Sequence, residues 1–149
     1  MSIRNDIIEN LASAIETIRS SGDYEANIRE IAQTYVPYSE KLRDQTPLLM
    51  VLDGGNDQVI LNTGDGTMYS FDVTVMGYVR ESSYVGCRES INKIISSIKQ
   101  WVNSNPDLGS YVLTLRYMEG VHAIYTELGL HGHLELTLWV LYYCETGTY

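Results

Sequence analysis

Met68-Tyr69-Ser70-Phe71-Asp72-Val73-Thr74-Val75-Met76-Gly77-Tyr78-Val79 is the stretch on which the fold turns. Tyr69, Phe71, Val73, Val75 and Val79 fall on one side of a period of two, and Ser70, Asp72, Thr74 and Tyr78 on the other. Aromatic and β-branched residues favour extended backbone, and successive side chains of a strand point to opposite faces. The pattern predicts a long half-buried strand, with one side in a core and the other solvated or facing a partner.

Upstream, Leu48–Leu52 reads as a short apolar strand, and Gln58 to Leu61 begins another extended piece. Asp53-Gly54-Gly55-Asn56-Asp57 lies between them, and Asn62-Thr63-Gly64-Asp65-Gly66-Thr67 follows. Asp-Gly, Gly-Asn and Gly-Asp-Gly tolerate positive φ in tight connections, so both runs read as turns between antiparallel strands. Together they predict a long, acidic, protruding β-hairpin. As a metal or phosphate loop the region fails. A calcium-binding EF-hand loop starting at Asp53 meets Gln58 where glycine is required, and no Glu at its twelfth place. Counting back from Gly64 or Gly66 puts Val59 or Leu61 first. A calcium β-roll needs tandem copies, and a P-loop needs a Lys that this region lacks.

Residues 3–19 predict an amphipathic helix: Ile3, Ile7, Ile8, Leu11, Ala14, Ile15 and Ile18 recur at three- and four-residue steps. Ser2 is placed to cap it, and Asp6 sits in the first turn, where the helix dipole favours acid. Ile31 to Val36 has strand character and Pro37 ends it. Residues 84–103 predict a second helix, with Cys87, Ile91, Ile94, Ile95, Ile98, Trp101 and Val102 as its apolar stripe and Ser82 or Ser83 as cap. Two strands close the chain, Tyr111 to Met118 and His133 to Tyr143, with residues 120–132 as a long connection. The last strand sets Leu134, Leu136, Leu138, Val140 and Tyr142 on one face. Its other face, with Trp139, Leu141 and Tyr143, is too aromatic to be simply solvated. This order predicts an α+β fold in one domain over residues 1–149: a mostly antiparallel sheet of about five to six strands, two main amphipathic helices on one face, and the protruding hairpin.

A chain of 149 residues, 44% hydrophobic and 19% charged, is expected to fold around one core. Its net charge is −9, and two segments without Lys or Arg, residues 44–79 and 117–149, carry the whole excess. Tight binding to a phosphate backbone needs clustered cations and is not expected. No apolar run is long enough for a membrane helix and no secretory leader is visible, so synthesis in a cytosol is the expectation.

Cys87 and Cys144 form no Cys-x-x-Cys pair and read as half-buried free thiols in a reducing compartment. His131 and His133 with His122 are a possible metal trio, but no cysteine completes a set; no metal and no cofactor is expected. A Cys87–His dyad is the other candidate chemistry, against the placement of Cys87 on an apolar stripe. No catalytic motif survives, and no enzyme is expected. Twelve tyrosines stand against one phenylalanine, and Tyr suits surfaces that assemble from water. Tyr78, Tyr125, Tyr143 and Tyr149 are the outward candidates.

The organisation resembles the tail terminator (tail-completion, minor tail protein U-like) family of long-tailed bacteriophages. The resemblance runs over nearly the whole chain: the helix Ile3–Ile18, a strand ending near Pro37, Thr46-Pro47-Leu48-Leu49-Met50-Val51, the glycine-rich acidic segment, Tyr69 to Val75, the helix Ile91–Val102 and the strand Leu134–Tyr143. It implies a homohexameric ring at the tail–neck junction of a virion, made in the host cytoplasm. The ring would cap the tail-tube protein, stop its polymerisation and meet a neck, stopper or connector protein. DNA would pass through the lumen without specific binding, which suits an acidic surface. The family supplies no catalytic residues. By position, Asp53, Asn56, Asp57, Asp65 and Thr67 are expected in the hairpin at the lumen or against the tube. Tyr78, Arg80, Arg88, Arg116, Trp139, Leu141 and Tyr143 are expected at subunit interfaces. A head–tail stopper or other neck piece is the alternative, and a small soluble binding or enzymatic domain a remoter one.

Overall fold

The computed structural model describes residues 2–108, 112–127 and 129–145. Their order is α1 (Ile3–Ser20), β1 (Glu30–Ala32), a 3-10 helix (Glu40–Gln45), β2 (Leu48–Asn62), β3 (Gly66–Val79), α2 (Tyr84–Ser104), β4 (Thr114–Tyr125) and β5 (His131–Glu145). Both long helices start as their sequences predict. Ser2 Oγ accepts from the Asn5 N–H at 3.2 Å, and Ser83 Oγ from the Gly86 N–H at 3.0 Å, each satisfying an amide with no partner inside its helix.

The five strands form one sheet in the order β1-β2-β3-β5-β4. Only β1 is parallel to its neighbour; the other pairings are antiparallel. Strand β3 is central and keeps the period its sequence predicts. Phe71, Val73, Val75 and Val79 are wholly buried, in one cluster with Leu134, Leu136, Leu138 and Val140 of β5. Ile7, Leu11, Ile15 and Ile18 of α1 join that cluster, as do Cys87, Ile91, Ile94, Ile98 and Val102 of α2. Both helices therefore cover one face of an α+β sheet.

Three boundaries differ from the sequence reading. Asp53 to Asp57 is not a turn but lies inside β2, which runs unbroken to Asn62 with register shifts at 53/55, 55/58 and 59/61. Gly55 (φ 74°) and Asn56 (φ 56°) do adopt the left-handed conformation their types favour, but in a bulge. The chain reverses at Thr63-Gly64-Asp65. The expected projecting two-stranded hairpin is not seen as such, because β3 is also paired to β5 from Gly66↔Glu145 to Val79↔Gly132.

Strand β4 continues to Tyr125, through residues expected in a connection. A register shift between Tyr117 and Glu119 changes which parity faces the core, so its second half escapes a period-two reading. The expected strand at Ile31–Val36 shortens to Glu30–Ala32. Val36 and Tyr38 cross the second face instead, over a smaller cluster of Leu42, Leu48, Met50 and Tyr78.

At Gly54 a Cβ would stand 2.7 Å from Thr74 Oγ1 and 2.9 Å from the Asp72 carbonyl oxygen, which is backbone and cannot turn aside. Gly54→Ala is expected to destabilise the fold by about 1–3 kcal/mol in chemical denaturation. Gly64→Ala, whose Cβ meets nothing within 4 Å, should change stability by well under that amount.

Candidate assembly surface

The second sheet face has a covered end and a bare end. At the bare end, Gly55 of β2, Asp72 of β3, Trp139 of β5 and Arg116 of β4 lie abreast. Asn56 Nδ2 donates to Asp72 Oδ2 at 3.1 Å, and the Arg116 guanidinium carbon stands 5.7 Å from the Trp139 ring centroid. Beyond that row, Ser70 is abreast of Leu141, and Met68 lies between Leu61 and Tyr143. Leu61 is 52% exposed and Tyr143 41%, while Trp139 and Leu141 are half-buried. The structure thus gathers Trp139, Leu141 and Tyr143 into an apolar patch on the second face, with Asp72 and Arg116 beside Trp139 and Glu145 two residues beyond Tyr143.

The acidic segment is not free. Arg4, in the first turn of α1, reaches Asp53 with Nε at 2.6 Å and a second nitrogen at 2.5 Å, and Asp57 at 2.5 Å. Its guanidinium also lies 4.4 Å from the Phe71 ring centroid. Hydrogen bonds from Arg4, chiefly, and from the Gly55 N–H hold the Asp53 carboxyl below its usual range; the bonds of Arg4 to Asp53 and Asp57 raise the Arg4 pKa. Sequence reasoning misses Arg4, because it comes from another element and no local spacing links it to Asp53. A cavity of about 290 Å³ opens beside this pair, against Tyr69 and Tyr142, but its one cation is already held by two carboxylates. Thr67 Oγ1 donates to Asn62 Oδ1 at 3.1 Å, and Asp65 is exposed in the turn.

Tyr78 corrects its expected outward position. Its parity is as predicted, but the 33–42 segment covers that end of the face, leaving it 4% exposed. Its hydroxyl donates to the Val36 carbonyl at 2.9 Å, and burial pushes its pKa up to about 12. Tyr38 packs edge-on to Tyr78 and stacks on His131 at 3.8 Å between centroids, and His133 lies 5.6 Å from Tyr78. Burial lowers the His133 pKa, which Glu135 only partly opposes. Tyr125 joins the exposed margin of this cluster, 5.5 Å from His131. Tyr149 lies outside the described residues.

His122 is paired with Leu134 and shares its face, opposite to His131 and His133, so the three histidines are not brought together. Cys87 is fully buried on the helix face, where desolvation raises its pKa. Arg80 donates to the Tyr38 hydroxyl at 3.4 Å, and Arg88 is exposed on α2; neither joins the Trp139 patch.

These features define an α+β domain with one sheet face sealed by helices and the other partly bare. No family model matches the chain, and no curated protein does. Among solved structures, a chain from the virion of a native gene transfer agent (GTA) particle is similar, with a TM-score of 0.41 and 10% identity over 90% of this chain and 95% of that one.

The Asp53–Arg4 pair has a pH signature. A depressed folded-state pKa contributes stability that is present above the unfolded value, about 3.9, and lost as pH falls through the folded one. Because Asp53 is 41% exposed, Asp53→Asn should cost no more than about 1 kcal/mol at pH 7. The difference from the wild type should vanish in urea titrations in strong acid. Tyr78→Phe should cost about 0.5–1.5 kcal/mol at both pH values, by leaving the Val36 carbonyl without its donor.

Proposed function

We propose that this chain is a structural protein of a phage-like virion, and within that class a tail terminator. It assembles into a homohexameric ring that caps the tail tube, stops tube growth and meets the neck, with DNA passing through the lumen. Its role is one of shape and docking rather than catalysis.

The observation that carries the reading is the bare end of the sheet. Trp139, Leu141, Tyr143 and Arg116 converge there, Trp139 and Leu141 half-buried and Tyr143 exposed, and no described segment crosses them. Aromatic residues and arginine are the types enriched where protein surfaces meet, and an apolar patch rimmed by charge marks such a place. The order of elements along the chain, which the terminator family shares, narrows the class. The net charge of −9 suits a lumen that DNA slides past.

Trp139→Ala should leave the monomer folded by circular dichroism and weaken self-association about 30-fold or more, the scale of an interfacial Trp hot spot. Association is to be measured by light scattering, free and on purified tail tubes. Wild-type association by a Trp139→Ala chain would count against the surface. Virions made without the protein should show overlong tails in electron micrographs. Normal-length tails detached from leaking heads would assign it instead as a head–tail stopper.

A further inference from the structure

Two rims of the sheet remain open, and they are chemically different. One is β4, an edge strand of 12 residues whose outer backbone meets no strand among those described. It exposes Met118 (56%), Val121 (60%) and Tyr125 (46%). Beside it runs one flank of α2. Lys99 lies 4.8 Å from the Tyr117 ring of β4, and Arg88 stands about three turns before Lys99 on the same flank. With Arg116, this rim presents three cations, none of them ion-paired among the described residues, against Glu119 as the one acid within β4.

The other rim is the outer half of β2. Strand β1 covers β2 only at Leu48, Leu49 and Met50, so residues 51–62 form a second open edge. It exposes Val59 (61%), Ile60 (46%) and Leu61 (52%). It carries Asp53 and Asp57 and no Lys or Arg, with Asp65 just beyond; Arg4 offsets one of these charges.

We propose that the occupant of each rim is a second copy of this chain, with β4 of one subunit docking along the outer half of β2 of the next. The inference rests on the self-assembling role proposed above and adds an edge-to-edge contact to the one over the Trp139 face. Long apolar edges with unpaired backbone are templates for another strand, and here each edge finds the opposite charge on the other. Pairing β4 with β4 would set Arg88, Lys99 and Arg116 against their own copies. Strand direction alternates from β2 through β3 and β5 to β4, so rotation about an axis along the strands makes the new pair antiparallel. The registers set Thr114 level with Gln58 and Gly120 level with Val51, while Val121 is level with Met50, which β1 covers, so the contact runs over Thr114–Gly120 of β4 and Val51–Gln58 of β2. The contact joins two different surfaces, so it leaves one of each free until rotation closes a ring. The bulges at 53–61 and at 117/119 restrict which registers fit.

The test uses the full chain carrying both Leu113→Cys, just before β4, and Val59→Cys, exposed positions that the registers set level across the contact. Cys87 and Cys144 are 0% and 1% exposed and do not compete. A short bis-maleimide should convert the assembled double variant into a covalent ladder ending at the mass of the assembly. Each single variant should remain uncrosslinked, and both new cysteines should react with a soluble maleimide at least 10-fold more slowly in the assembly than in dissociated chain. An assembly of wild-type mass whose rim cysteines stay reactive and uncrosslinked overturns this docking mode and leaves the ring reading intact. Self-crosslinking of a chain carrying Val121→Cys alone, near the middle of β4, overturns it in favour of a symmetric β4 contact. A chain that stays monomeric at high concentration and on tail tubes overturns both.

Discussion

Strand β3 is paired on both sides from Thr67 to Tyr78, and the arrangement of the molecule depends on that constraint. A strand paired on both edges cannot slip by one residue without turning every buried side chain outward. Phe71, Val73 and Val75 are therefore committed to the helices, and Asp72, Thr74 and Met76 to the second face. Their partners on β2 and β5 follow by register. The second face exists as a surface because the first is sealed by α1 and α2.

The second face is then divided by a covering segment. Residues 33–42 cross it at the end where β1 lies, so Met50 and Tyr78 become core there. No described segment crosses the other end, which leaves Trp139, Leu141, Tyr143 and Arg116 accessible. One strand thus contributes a buried tyrosine and an acid beside an exposed patch only six residues apart in the sequence. The difference is not in β3 itself but in what lies over it.

Charge is organised by tertiary contact in the same way. Linear counting leaves residues 44–79 with acids alone, yet Arg4 folds back from α1 to hold two of them. Among the described residues no ion pair joins Arg88, Lys99 or Arg116 to an acid. An acidic protein with one unpaired basic rim and one acidic rim has a directional surface, and net charge alone does not convey this.

The sequence by itself determined the alternation of β3 and β5, the two amphipathic helices with their serine caps, and the place of Cys87 on an apolar stripe. These depend on period and local chemistry, which are read within a few residues. Only the tertiary structure decided that Gly55 and Asn56 sit in a bulge rather than a turn, since the same positive φ serves both. It also decided that β4 runs past its register shift, that Tyr78 is covered, and that Arg4 pairs with Asp53. The physical reason is common to all four: each depends on a partner contributed by a distant part of the chain, and local pattern carries no information about which distant segment arrives.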